Sequence, residues 1–566
     1  MSMMMALMRV WLAVTLLAAG VAAAPQSAKD WKKAARTLGK NEKQFWASYS
    51  DRFREAVDTM WQPWRDARAK PKEKTNPIFD YSGFKNLYAD YSLIQSELAK
   101  TDLKYAESGD PSAPAALLKK LLDVIKRSAK LDAEILKGKP LTDDIFDQEP
   151  SIRRHGLSIR HDGLVRALSQ CADASGFLAT TALDAAVKKD GKRSVARRVA
   201  ILDALTQAGG TDAEAVLVEY LRHPEPACRI AALEGCLALG EAVREKTQML
   251  LDDPSSIVRR ALIQGVARLS KDPRWIPALV PMVARSHGNE RRELLEALFV
   301  LTKQPFGDAP KLWEEWLDDY KNEIEGGNFD LEKTEIREAK PAPLRNTFSF
   351  CGIPTGSHGV VFVIDGSQRM HWPADWDVQK TQYKWRWDNT RGAWEKRHSS
   401  HQAELMREFG RMVKTWPAEL RFGMISLQGA FKDKQVVGGK RLAKASSSRN
   451  ALREIEKLQV DGWCAQYTGV LTAMRMAGVD PASDTGLPDQ PAADTIFLFN
   501  GGDPAGGRYM TVDALVAAFR RTNRFRRVVV HTIRICSDGA AAEALMKGLA
   551  EASGGRYVWR RKPDSN

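Results

Sequence analysis

The run Val360-Val361-Phe362-Val363-Ile364-Asp365-Gly366-Ser367-Gln368-Arg369 decides how the C-terminal part of the chain is read. Apolar, mostly β-branched residues end in a carboxylate, a glycine and a hydroxyl. An unbroken apolar run of this length predicts a strand buried on both faces, and therefore a parallel one. Open α/β sheets take their ligands outside the carboxyl ends of the strands, so Asp365 and Ser367 are candidate site residues.

Outward from this strand the pattern alternates between β and α. Strands are predicted over 360–365, 420–427, 495–499, 528–535 and 556–559, with a shorter one over 435–438. Helices are predicted over 400–415, 447–458, 466–476, 512–521 and 540–552. Such alternation implies a mostly parallel sheet, covered on both faces through right-handed crossovers. The basic run from Arg520 to Arg527 reads as the end of a helix and a solvated edge, because cations favour helix C-termini.

Between the first strand and the next helix lies an insertion, residues 371–398, holding Trp372, Trp376, Trp385, Trp387 and Trp394. Tyr383, Trp385 and Trp387 alternate with Lys384 and Arg386, the period of a short hairpin with one aromatic face. The five tryptophans are candidate partner contacts for carbohydrate or peptide, against the alternative of a lid packed on its own domain. His398 and His401, with Asp375 and Asp377, lack the spacing of a zinc site.

Asp365-Gly366-Ser367, the stretch from Asp494 to Asp503, and the ending from His531 to Val558 together resemble a von Willebrand factor A (VWA) domain over residues 358–566. The resemblance implies a Rossmann-like, doubly wound α/β fold with a metal-ion-dependent adhesion site (MIDAS) at the strand tips. The family pattern is Asp-x-Ser-x-Ser, a distant Thr, and an Asp after the fourth main strand. Asp365 and Ser367 match it. Arg369 stands at the third position, Cys464 at the Thr position with Thr468 nearby, and Gly501 at the Asp position with Asp503 two residues on. A guanidinium has the wrong charge, a thiol is too soft for magnesium, and glycine has no side chain to offer. The expectation is a degenerate site with no metal or other cofactor. The alternative is a weak site for Mg2+ or another divalent cation on Asp365, Ser367 and Asp503.

Upstream, the segments starting at Arg198, Arg229, Arg259 and Arg291 repeat at intervals of about thirty residues. His223-Pro224 and Asp253-Pro254 mark turns before two of them. This looks like the HEAT family, which implies an interaction scaffold in which paired helices stack into an α-solenoid over residues 151–325. Residues 25–150 read as a helical N-terminal region, and 326–357 as a Gly- and Pro-marked linker. The expected fold is therefore multidomain: an all-α N-terminal part with a HEAT-like solenoid, then the α/β domain.

Residues 1–24 have one positive side chain, an apolar run over 10–21 and Ala22-Ala23-Ala24, the pattern of a signal peptide. The expectation is an exported protein, periplasmic or secreted and soluble after cleavage, with an N-terminal signal anchor as the alternative. The chain has 566 residues and a formal net charge of +14. That balance allows attraction to polyanions such as acidic polysaccharide, but the basic residues are scattered from end to end and read first as a solvated surface, while export argues against nucleic acid. The six cysteines show no metal or disulfide spacing and read as buried thiols.

No Gly-x-Ser-x-Gly, phosphate loop or His-Glu-x-x-His occurs, so an enzyme is not expected. The sequence points to a non-catalytic interaction or adhesion protein with protein partners in the envelope or outside the cell. The alternatives are a divalent-metal-dependent VWA adhesin and a carbohydrate-binding factor acting through the tryptophan insertion.

Overall fold

The computed structural model describes residues 28–69, 80, 82–136, 148–187, 194–240, 244–345, 347–366, 387–388, 393–394, 401–428, 432–438, 441–447, 452–453, 466–500, 511–534 and 540–559. The chain is helical through its N-terminal part and ends in a mostly parallel sheet. It divides into two compact units, residues 1–132 with 152–217, and residues 133–151 with 218–566.

The first unit contains the helices α1 (Ala28–Ala47), α2 (Tyr49–Ala69), α3 (Ser82–Glu107), most of α4 (Ala113–Leu136) and of α5 (Glu149–Ser169), and α6 (Ser194–Ala208). Buried apolar residues recur every seven along α1 (Trp31, Leu38, Phe45) and at seven and four along α2 (Tyr49, Ala56, Met60), so each helix buries one stripe against α3. Trp31 stacks on Tyr105 at 4.6 Å between centroids, Phe45 and Trp46 lie against Tyr91, and Tyr49 packs on Trp46. The carboxylate of Asp102 is buried in this core. It accepts from Trp31 Nε1 at 2.8 Å and pairs with Arg160 and Lys120. Gly156 and Gly163 on α5 lie seven residues apart, and a Cβ there would meet Tyr91 Cε1 at 2.2 Å and Ala99 Cβ at 2.3 Å. The missing side chains are what let α5 lie against α3.

The second unit begins with helices packed side by side: α7 (Pro226–Leu239), α8 (Ser256–Gly265), α9 (Gly288–Thr302) and α10 (Pro310–Glu325). Pro226 and Pro310 open their helices at a position where a missing N–H costs nothing. The recurring arginines bind successive turns to one another. Arg229 forks onto Asp253 at 2.8 Å through Nε and Nη2 while Nη1 donates to the carbonyls of His223 and Pro224. Arg259 repeats the arrangement, forking onto Glu290 at 3.0 and 2.7 Å while Nη1 donates to the carbonyls of Asp253 and Pro254. Arg291 continues it to Asp308 at 3.4 Å, and Arg345 holds the same carboxylate at 2.9 Å.

The stretch 326–357 carries a small antiparallel hairpin, β1 (Phe348–Phe350) and β2 (Ile353–Thr355). The main sheet is built from β3 (Gly359–Asp365), β6 (Arg421–Gln428), β7 (Lys432–Val437), β9 (Thr495–Asn500), β10 (Val529–Arg534) and β11 (Tyr557–Trp559), with β8 (Ala443–Lys444) beside β6. β4 (Trp387–Asp388) and β5 (Ala393–Trp394) form a separate ribbon inside the insertion. The main order is β11-β10-β9-β3-β6-β7, all parallel except β7. The connections reverse direction between β3 and β9, so a crevice is expected outside their carboxyl ends.

Both faces are covered. On the Phe362 face, α11 (His401–Met412) and the β1–β2 hairpin bury Leu405, Phe409, Phe348, Phe350 and Ile353 against Val360, Phe422 and Phe497. On the Val363 face lie α12 (Gln466–Met476) and α14 (Ala540–Ser553), while α13 (Val512–Asn523) packs on α14. The predicted strands and helices agree with these elements to within a few residues, except that most of 447–458 lies outside the described residues.

The helical stack meets the sheet at the amino ends of its strands. Asn289 on α9 donates to Thr495 Oγ1 at 2.7 Å, and Ser256 N donates to the Asp489 carbonyl at 2.8 Å. The basic run is not a solvated edge. Arg524 and Arg527 both bind Glu234 of α7, at 2.8 and 2.9 Å, and Arg526 is buried among the carbonyls of Asp480, Ser483 and Thr522. Arg260 is buried on Glu293, at 2.9 Å through Nε, with Asp494 close enough to act on it electrostatically.

Breaking such a pair from one side leaves a buried charge uncompensated. Arg260→Met is therefore expected to cost about 3–5 kcal/mol in denaturant unfolding, and Arg260→Met with Glu293→Leu substantially less. Equal losses in the single and double variants would show that Glu293 does not depend on Arg260.

Candidate functional site

The last residues of the three central parallel strands form one row. Arg534 pairs with Asn500, and the Ile364↔Phe499 register carries Asp365 alongside Asn500, with Leu427 on its other side. Alternation along each strand puts these side chains on the Val363 face. Thr532, two residues before Arg534, donates to the Met546 carbonyl on that face at 2.8 Å. All three polar residues are about 1% exposed. A buried cation, amide and carboxylate thus stand side by side at the carboxyl rim, where the winding reverses.

Each member is held from the elements around it. Arg534 donates to Glu543 of α14 at 3.0 Å, and its guanidinium lies 4.6 Å over the Trp559 ring. Hydrogen bonds from Lys547, then from Arg534, hold the Glu543 carboxyl below its ordinary value. Asn500 approaches the Met546 sulfur, and Gly366 N donates to the Leu427 carbonyl at 2.8 Å just past Asp365. The first turn of α12 lies against the same strand ends because Gly469 has no side chain: a Cβ there would meet Leu427 Cδ2 at 2.6 Å and Val363 Cγ1 at 2.8 Å. Half-buried Thr468 sits in that turn.

Of the candidate ligand set, the fold brings Asp365 and Thr468 to this end of the sheet. Ser367, Arg369, Cys464, Gly501 and Asp503 lie outside the described residues, as do Trp372, Trp376 and Trp385. Trp387 and Trp394 occupy directly opposed positions across the β4–β5 ribbon. Asn500 and Arg534 were not singled out in the sequence. Asn500 carries a signal as the polar residue closing the run Thr495–Phe499, whereas Arg534 does not, because Ile535 and Cys536 follow it and the predicted strand extends to 535. Among the described residues no three His, Cys, Asp or Glu side chains gather as a ligand set.

No protein-family model matches the chain, and no curated protein matches it.

The opposite face and the amino rim hold two further ionisable groups. His531 is buried in β10, with its ring 5.0 Å from that of Phe497. Its Nδ1 accepts from Arg556 N at 3.0 Å, so the neutral ring carries its proton on Nε2, which has no hydrogen-bond partner among the described residues. Burial, reinforced by the cations Arg292 and Arg556, pushes the His531 ring down from 6.5 to about 3. At Asp494, burial acts to raise the carboxyl. Arg260, His358 and hydrogen bonds from Ser357 and Thr495 outweigh it and hold the group below its ordinary 3.8.

The signs of both shifts make acid destabilising, in separate windows. His531 stays neutral in the folded chain while the unfolded chain takes up a proton below about 6.5, so stability falls from there toward pH 3. The slope is at most about 1.4 kcal/mol per pH unit for this one group. Asp494 contributes only at lower pH, below its ordinary 3.8. Replacing His531 with Phe should flatten the melting-temperature profile between pH 6 and 4 and leave the steeper loss below pH 4. An unchanged profile would place the acid sensitivity elsewhere. Gly469→Val is expected to cost about 1–3 kcal/mol by overpacking the α12–rim contact, read by chemical denaturation.

Proposed function

We infer that the protein is an exported, non-catalytic interaction protein. In this reading it carries a VWA-like domain with a degenerate, metal-free MIDAS on a HEAT-like scaffold. The observation that carries the reading is the strand order, which puts Asp365 at the tip of the central strand where the winding reverses. A doubly wound sheet presents its ligand face there. The replacement of family ligands by Arg369, Cys464 and Gly501 favours recognition without a bridging dication.

The arginine–carboxylate ladder from Arg229 to Asp308 favours the solenoid reading, since Arg229 and Arg259 tie neighbouring helices by the same forked pattern and Arg291 continues it with a single contact. The solenoid also grips the sheet at the amino ends of its strands, opposite the rim where Asp365 ends β3. Such a mount holds the recognition face still without covering it. Export rests on the signal-like residues 1–24, which lie outside the described residues. Among those that are described, no helix is long and apolar enough to cross a membrane.

Two measurements test the reading. A bound dication stabilises by mass action, so the metal-free site should show no melting-temperature change with millimolar Mg2+ or Mn2+, whereas a dose-dependent rise would favour the metal-dependent adhesin. Affinity capture from exported proteins should yield partners that wild type retains with or without chelator and that Thr468→Arg loses. Partners held equally by Thr468→Arg would move the recognition surface off the rim.

A further inference from the structure

Helix α1 is cationic along one side. Lys29, Lys33, Arg36, Lys40 and Lys43 recur at spacings of four and three, which at 100° per residue is a single stripe. Trp31, Leu38 and Phe45 recur every seven residues on the opposite side and are buried in the first unit. The stripe is exposed along its length, and exposed Lys32 borders it. Elsewhere the basic side chains engage carboxylates freely, as Arg52 does with Asp90, Lys100 with Glu97 and Arg154 with Asp132. None of the six cations on α1 has a side-chain ion pair or hydrogen bond among the described residues. Glu42, on the same helix, is turned away to accept from Tyr91 Oη at 2.6 Å.

We propose that this face of α1 docks on the surface of an anionic lipid bilayer, with Lys29, Lys33, Arg36, Lys40 and Lys43 lying among the headgroups. The stripe runs over the fifteen residues from Lys29 to Lys43, about 21 Å of helix, and is straight, which suits a flat and extended polyanion. Position in the chain selects the bilayer among polyanions. The apolar run 10–21, read as an export signal, ends only a few residues before α1, so export through a membrane brings this helix to a membrane surface whether or not the signal is then cleaved. No aromatic side chain stands in the stripe to stack on a base or sugar. Each basic residue near an anionic surface contributes on the order of 1 kcal/mol, and the attraction fades within a Debye length. The proposal stands apart from the reading of the sheet rim.

The test is co-sedimentation of the full chain with phosphatidylcholine vesicles, and with vesicles also containing phosphatidylglycerol. Any binding through the uncharged apolar run 10–21 is common to both kinds, so the readout is the preference for anionic over neutral vesicles. Wild type should prefer the anionic vesicles, and the preference should shrink as salt rises. Lys33→Glu/Arg36→Glu/Lys40→Glu should lose it by about 100-fold, at roughly 1 kcal/mol per residue. The neutralising set Lys33→Gln/Arg36→Gln/Lys40→Gln should lose part of it, with helicity and melting temperature unchanged in both variants. No preference in wild type, a preference kept by both variants, or retention by soluble acidic polysaccharide in place of anionic vesicles would overturn the proposal.

Discussion

Arg260 sits where the helical stack becomes part of the sheet. It is buried with Glu293 on the next helix, and Asp494 at the start of β9 lies within its field. A charge this deep is tolerable only when its partners are positioned before it arrives, since desolvating an ion costs several kcal/mol. The helices, the loop before β9 and the sheet therefore depend on one another for stability. Asn289 on Thr495, with Arg524 and Arg527 on Glu234, extends the same seam. Those contacts hold the amino ends of the strands, and the polar row from Arg534 to Asp365 lies at the other end of the same strands.

The ladder of Arg229, Arg259 and Arg291 explains why the repeats stay in register. Each guanidinium caps the turn before its own helix and bridges to a carboxylate in the following repeat. Apolar faces alone permit neighbouring helices to slide. The forked pairs of Arg229 on Asp253 and Arg259 on Glu290 do not, because their geometry is fixed on both sides. Gly265, whose Cβ would meet Leu237 Cδ1 at 2.4 Å, lets α7 and α8 close to that distance.

Much of the architecture was legible because burial leaves a clear mark on sequence. The runs ending in Asp365 and Asn500 are apolar almost throughout, as strands covered on both faces must be, and the ends of these strands and of β10 fall within a residue or two of expectation. The β1–β2 hairpin was not legible, because Cys351 and Gly352 turn the chain at φ 51° and 79° between strands too short to show a period. The arginines from Arg524 to Arg527 looked solvated for a different reason. Glu234, the partner of Arg524 and Arg527, lies about 290 residues away, and pairing at that distance leaves no local trace. At the rim, Asp365 was visible as the end of the first strand. Asn500 and Arg534 join it only once the register aligns three strand ends in one row.

The two borders of the sheet are guarded differently. On one side β11 is only three residues long, with the Arg534 guanidinium over its Trp559. On the other, β7 runs antiparallel and carries Lys432, Asp433 and Lys434 on its opening residues. A short strand and a charged one are both poor templates for an incoming chain. A protein crowded at high density could keep many copies side by side without their sheets fusing into a fibre.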